Sequence, residues 1–244
     1  MTTPHFVMPQ WSAPSQVKAV TSTRRGGFSV QPFNGLNLAQ HVDDQAESVI
    51  QNRQLLANEL ALPTTVRWLN QQHTTFIETD DKRYHNEPCD GGFSRRPDTV
   101  CVVMTADCMP VFITDRQGSE VAVIHAGWRG LADGIVERAI NLFQAPAEQL
   151  LAWAGPTISQ ANFEIGAEVK LALGGADRHY LPNRSKPKHY FADLYALAGE
   201  RLANLGVTYG HSDACTYRDA DDYFSYRRDG VTGRMASLIW LDTP

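Results

Sequence analysis

Three short segments carry side chains that can hold a metal ion: NQQHTT, TADCMP and IHAGWRG. Each sets one ligand-competent residue at the edge of an apolar run, namely His73, Cys108 and His125. Two imidazoles and one thiolate suit zinc. A three-ligand set leaves one coordination position open, the arrangement of catalytic rather than structural sites. The same residues support chemistry without a metal, in which His125 activates the Cys108 thiolate as a nucleophile. A third reading is structural: a lone cysteine packs as a small hydrophobe, and lone histidines serve as hydrogen-bonded or surface groups. Spacing leaves all three open, because separated ligands give a weaker signal than a paired CxxC.

Placing these residues requires strand ends. VRWLNQQ reads as a short strand that delivers His73. TVCVVMTA is strongly β-prone, breaks at Asp107 to Pro110, and resumes as VFITD; the break exposes Cys108 at a sheet rim. Arg116 to Ser119 reads as a turn and EVAVIHAG as the next strand, so a hairpin would bring Cys108 and His125 together. Around this centre, VKAVTSTRRGGFSV opens as a strand and breaks at Gly26 and Gly27. Val49, Leu55, Leu56 and Leu60 are spaced for an amphipathic helix from Ala46 to Leu60. LADGIVERAINLFQ predicts a helix, LLAWAGP a strand, FEIGAEVKLAL a helix, and DLYALAGERLANLGV a helix ending at Gly206. The tail reads as loop, an Asp229-Gly230 turn and a final strand. This mixture without a regular βαβ repeat predicts an α/β (α+β) layered sandwich. Its mixed sheets would be flanked by helices, in one domain spanning residues 1–244.

Composition narrows the function classes. The chain has 244 residues, 43% of them hydrophobic, enough for a sizeable core. A net charge of −5 and a pI near 5.9 argue against a nucleic-acid partner. MTTPHFVMPQWSAP lacks the charged-then-apolar profile of a secretory signal, and no apolar stretch approaches the ~20 residues of a membrane span. Cys89, Cys101, Cys108 and Cys215 form no CxxC pair. The expectation is a reducing, cytoplasmic setting with at least one thiol kept for chemistry.

The assembled motifs resemble the YfiH/DUF152 family, whose members also go by polyphenol oxidase or multicopper laccase. The resemblance covers nearly the whole chain. It runs through TSTRRGGFS and PFNGLNLAQHVDD, then QQH, TADCMPV and IHAGWRGL, then GPTI, FEIGAEV, CTY and FSYRRDGVTGRMASLIWL. It implies an α/β sandwich, also likened to certain cysteine hydrolases. It implies a zinc-dependent purine nucleoside phosphorylase acting on inosine, adenosine and methylthioadenosine with phosphate, with adenosine deaminase activity. It implies zinc ligands at His73, Cys108 and His125. Two positions depart from the pattern: Thr74 stands where the family usually has glycine, and His41-Val42-Asp43-Asp44 where it often has HVGD. Neither removes a ligand.

The implied chemistry assigns roles to other residues. Zinc lowers the pKa of a bound water from about 16 toward about 7, a route to deamination at C6 of adenosine. The H-x-E with P-C-x-x-C signature of nucleotide deaminases is absent, so another proton shuttle is required. Asp107 is the candidate, a turn residue being its structural reading. Phosphorolysis needs a phosphate held beside C1′ of the ribose. Arg24, beside glycines, and Arg129, at a helix start, are candidates to hold it; surface ion pairs are the alternative. His41 is a candidate substrate contact or proton donor. Arg227, Arg228 and Arg234 read as a structural basic cluster, and Trp128 as a packing residue.

The oxidase description meets a chemical obstacle. The eight histidines are His5, His41, His73, His85, His125, His179, His189 and His211, without an HxH pair. That supply is too thin for several copper centres. A single adventitious copper at His73, Cys108 and His125 would give weak oxidase activity. Two further readings stand: a Cys–His or zinc amide hydrolase, for which the family resemblance implies editing of peptidoglycan precursors, and a non-catalytic ligand-binding module.

Overall fold

The strands Thr99–Thr105, Met109–Asp115 and Val121–Ala126 are buried along their whole length, so each must be covered on both faces. The computed structural model, which describes residues 3–84 and 87–242 and so leaves out His85, shows what covers them. One sheet runs in the order Phe6–Val7, Val17–Ser22, Met235–Leu241, Thr99–Thr105 and Thr65–Arg67. The other runs Thr208–His211, Leu150–Ala154, Met109–Asp115, Val121–Ala126, Gly91–Ser94 and Ile77–Glu78. Both are mixed: parallel pairs lie at their edges and antiparallel pairs in their centres.

Side chains alternate across each strand and so build separate cores. Between the sheets, Val17, Cys101, Val103 and Ile239 meet Phe112, Val121, Val123 and Trp153. The outer face of the first sheet (Val100, Val102, Leu238 and Trp240) packs with Leu36, Leu38 and Leu56, the last from helix Ala46–Glu59. The outer face of the second (Val111, Ile113, Ile124 and Ala152) meets the helices Trp128–Ala132, Ile135–Ile140 and Leu194–Asn204. A small sheet of Glu164–Gly166, His189–Ala192 and Tyr180–Pro182, with helix Ala167–Leu173, joins that same core. The result is the layered sandwich with mixed sheets and flanking helices that the patterning predicts. Among the described residues no helix is long and apolar enough to cross a membrane.

Four local readings change. The β-prone run from Thr99 to Asp115 does not resume in its own sheet; its halves belong to different sheets, and the break at Asp107 is the crossing between them. The helix read through LADGIVERAINLFQ is two helices, because Gly134 adopts a left-handed φ of 87°, which a right-handed helix cannot continue. Only Thr65–Arg67 of VRWLNQQ is strand. Beyond it, the Gln71 side-chain amide accepts from the Met104 N–H at 2.7 Å and donates to the Met104 carbonyl at 2.8 Å, standing in for a strand backbone. FEIGAEVKLAL divides into strand Glu164–Gly166 and helix Ala167–Leu173.

Phe112 is the test of the inter-sheet core. It is fully buried, stacked on Trp153 with ring centroids 6.2 Å apart and tilted against Trp11 at 6.5 Å. Phe112→Ala should cost about 3–5 kcal/mol in urea unfolding, by lost transfer energy plus the cavity left behind. A cost under about 1 kcal/mol would mean that the sheets do not depend on this contact.

Candidate metal centre

Cys108 follows the crossing between the two sheets. Its neighbour Asp107 has a φ of 93°, which non-glycine residues rarely adopt. Four bonds hold it there. Its carboxylate accepts the Thr216 hydroxyl at 2.6 Å and the Arg227 N–H at 2.6 Å. Its carbonyl accepts the Thr157 hydroxyl at 2.6 Å and the Ile158 N–H at 3.0 Å. His125 lies on the adjacent strand opposite Pro110, so the hairpin places it beside Cys108. His73 arrives on a loop and has a left-handed φ of 60°.

One carboxylate organises this loop. Asp90 has 0% exposure. It accepts the backbone N–H groups of Gln72 at 3.1 Å, His73 at 3.0 Å and Thr74 at 2.7 Å, and the Thr74 hydroxyl at 2.9 Å. It also accepts Nδ1–H of His125 at 2.7 Å. An ionised carboxylate only accepts, so it fixes the proton of a neutral His125 on Nδ1 and leaves the Nε2 lone pair for a ligand.

The donors converge. The ligand atoms of His73, Cys108 and His125 all lie within 4.8 Å of one another, and the two imidazole centroids are 4.7 Å apart. Nδ1 of His73 is buried without a hydrogen-bond partner, a costly state unless something binds it. Gly127 leaves room for the cluster: a Cβ there would stand 2.7 Å from His73 Nδ1 and 3.0 Å from Cys108 Sγ. One sulfur and two imidazoles, one of them with an orphaned nitrogen, fit a zinc or copper ion.

Charge follows the same geometry. Burial drives the His125 pKa down, but the charge and hydrogen bonds of Cys108 and Asp90 overcome it and raise it to about 9. Burial, then the neighbouring His125, lowers the pKa of His73. Burial would raise the pKa of Asp90, yet the His125 contact and the loop N–H groups hold it below the ordinary carboxylate range.

The cluster opens on a cavity of about 400 Å³, whose wall also includes His41, Gln71, Met104, Thr105, Tyr226 and Arg234. Thus His41 joins the three ligand candidates. Partial desolvation, then the charges of Arg234 and Arg53, hold its pKa below the usual histidine value. Arg24 and Arg129 do not line the cavity. Arg24 donates to Ala220 and Asn34 and lies over the Phe224 ring at 4.6 Å. Arg129 lies over Trp128 at 4.3 Å, although its charge reaches His73. Asp107 has both carboxylate oxygens engaged in anchoring the corner, the turn-residue occupation rather than an open shuttle.

Sequence reasoning misses Asp90, Gln71, Thr105 and Arg234. Asp90 stands in CDGGF with no spacing relation to either histidine it serves. Arg227 and Arg228 do hold backbone carbonyls, of Glu164 and of Thr216, Tyr217 and Tyr223. Arg234, read with them, also donates to backbone carbonyls, of Thr232 and Gly233, and in addition lines the cavity.

Residues 18–242 match the family described as multi-copper polyphenol oxidoreductase laccase. The chain belongs to this family, the YfiH/DUF152 proteins. It is 44% identical over 243 residues to the purine nucleoside phosphorylase YfiH of Shigella flexneri, covering 97% of this chain and 98% of the relative. It is 41% identical over 242 residues to the purine nucleoside phosphorylase of Haemophilus influenzae, covering 97% and 99%. Its fold matches a crystal structure of a Neisseria meningitidis protein of family DUF152 with a TM-score of 0.92 at 40% identity, over 98% of this chain and 99% of that one. It matches the Bacillus licheniformis hypothetical protein YfiH with a TM-score of 0.90 at 28% identity, over 98% and 97%.

Two outcomes follow from the Asp90 network. Asp90→Asn retains shape but loses the charge that orients His125, so zinc affinity should fall about 10- to 100-fold while the fold persists by circular dichroism. Unchanged affinity in a competition titration would remove Asp90 from the site. Separately, a His125 pKa near 9 means a protonated ring at pH 7 in metal-free protein, whereas a ligand must be neutral. Zinc binding at pH 7 should therefore release at least about one proton per ion, read with a pH indicator; the release should shrink as pH rises through 9. Binding without proton release would place the metal off His125.

Proposed function

We propose that the chain is a zinc-dependent purine nucleoside phosphorylase that cleaves inosine, adenosine and methylthioadenosine with inorganic phosphate. Deamination of adenosine is its second activity. The observation that carries this reading is the His73, Cys108 and His125 group opening on a nucleoside-sized cavity, in a chain whose relatives bear that name. The cavity wall draws on segments from His41 to Arg234, so we read the chain as one catalytic domain.

His73, Cys108 and His125 would hold the ion, which would supply a Lewis-acid charge and an open position. The remaining parts belong to the protein. Asp90 keeps His125 and the His73 loop aimed at one point. Tyr226, 61% exposed on the cavity wall, offers an aromatic face to a purine. His41, with its lowered pKa, is neutral at pH 7, a state suited to hydrogen-bonding the nucleoside rather than delivering a proton. In the reaction a phosphate oxygen forms the bond to C1′ as the C1′–N9 bond breaks. The base leaves with the bonding pair and takes up a proton, giving free purine and a pentose 1-phosphate.

A second reading has its own observation. His125 touches Asp90 on one side and Cys108 on the other, the order of a Cys–His–Asp array. That supports a thiol amide hydrolase, for which the family resemblance implies peptidoglycan precursors as substrate. The unpartnered His73 nitrogen favours the metal reading, since the thiol mechanism has no use for it. For a multicopper oxidase, further metal groups are required. Among the described residues no second cluster of three or more metal-competent side chains accompanies this one.

The test is inosine turnover by metal-quantified protein. Ribose 1-phosphate should appear only with phosphate. Cys108→Ala should lose the metal and at least about 100-fold in rate, a ligand being no less important than the groups that orient it. Equal cleavage to free ribose without phosphate would make the enzyme a nucleoside hydrolase. Metal-independent, thiol-dependent amide cleavage would establish the second reading.

A further inference from the structure

Thr105 ends one strand of the first sheet, and Arg234 leads into the strand paired with it. Thr105 pairs with Met235, and Arg234 immediately precedes that strand. Both line the cavity of the metal group. Arg234 is held in place: its Nη1 donates to the carbonyls of Thr232 at 2.8 Å and Gly233 at 3.0 Å, and its guanidinium lies 5.8 Å from the Tyr226 ring centroid. Arg25 and Arg228 pair with Asp222 and Asp229. Among the described residues, Arg234 forms no ion pair with a carboxylate. Cys108 and then Asp107 act on it by charge, but Cys108 is a metal-ligand candidate and Asp107 has its own oxygens on Thr216 and Arg227.

Thr105 supplies an independent observation. It is 1% exposed, and its hydroxyl is buried without any hydrogen-bond partner. The hydroxyl of Thr232, two residues before Arg234, is likewise unpartnered. A buried hydroxyl is costly to leave unsatisfied, and a partly buried cation with no salt bridge gains from an anion placed directly against it. An arginine and a threonine on one cavity wall offer a charged and a neutral donor to an oxyanion.

We propose that Arg234 and Thr105 form the oxyanion subsite of the cavity and hold inorganic phosphate, the role read in the sequence for Arg24 and Arg129, which do not line the cavity. This rests on the phosphorylase reading. The two residues fix the phosphate so that one oxygen forms the bond to C1′ while the C1′–N9 bond breaks and its electron pair leaves with the base.

The experiment uses the zinc-loaded full chain. Inorganic phosphate is the probe, in calorimetry and in steady-state kinetics with inosine. Arg234→Gln should raise the Kd and the KM for phosphate about 10- to 100-fold and move the inosine KM by less than about twofold. Arg234→Lys should retain part of the affinity, keeping the charge but not the fork. Thr105→Val should weaken phosphate by about fivefold. Zinc content and circular dichroism establish that each variant is folded and loaded. A folded, loaded Arg234→Gln with wild-type phosphate affinity overturns the subsite while leaving the phosphorylase reading intact. Wild-type protein that neither binds phosphate nor requires it overturns both. Inosine 5′-monophosphate separates the two sources of the anion. If Arg234→Gln weakens that nucleotide and spares free phosphate, the subsite serves a phosphate ester and the assignment to free phosphate is wrong.

Discussion

Five hydrogen bonds converge on the buried carboxylate of Asp90: three from backbone N–H groups, one from a hydroxyl and one from an imidazole. A buried charge costs several kcal/mol unless its lone pairs are matched this fully. The compensation ties the loop at Gln72 to Thr74 and the strand bearing His125 to a single point. The local backbone serves the same end. The Asp90 N–H donates to the Phe76 carbonyl at 2.9 Å, and its carbonyl accepts the His125 N–H at 2.8 Å. The two glycines that follow let this strand lie flush against its neighbours. A Cβ at Gly91 would stand 2.9 Å from Ile124, and one at Gly92 would stand 3.0 Å from Cys101. The CDGG sequence is therefore a packing solution around one buried charge, and the metal group inherits its geometry from it.

The same economy appears at Asp107. His73 and Asp107 both hold left-handed φ values without being glycine, and such conformations persist only where surrounding bonds over-determine them. At His73 the restraint comes from Asp90; at Asp107 it comes from its own carboxylate and carbonyl. Each strained residue adjoins or is a ligand candidate. Both rest on the two-sheet core, where Phe112, Trp153, Val103 and Ile239 leave little freedom for the strand that begins just after Cys108 and the strand that carries His125.

Much of this was legible in the chain. Val100 to Met104 and Val121 to Ile124 are β-prone enough to be read as strands, and a histidine or cysteine ending such a run stands out. The layered sandwich follows from strands and helices that mix without a βαβ repeat. The crossing at Asp107 was not legible, because an apolar run reads alike whether its halves share a sheet or face each other from two. Asp90 was hidden because its function arises from contacts 16 to 35 residues away, which no local pattern encodes. Arg234 looks like Arg227 and Arg228 in sequence, and all three hold backbone carbonyls; only tertiary placement puts Arg234, alone of the three, on the cavity wall.

The claim that most depends on this geometry is that one ion sits on both histidines and the cysteine together. X-ray absorption at the zinc edge, on protein purified without added metal, reads those donors directly. One zinc–sulfur distance of about 2.3 Å with imidazole nitrogens at about 2.0–2.1 Å is expected, and the sulfur contribution should be lost in Cys108→Ala. A shell of nitrogen and oxygen alone in the wild-type protein would contradict it, because the metal would then lie off Cys108 and the thiol would be free for chemistry of its own.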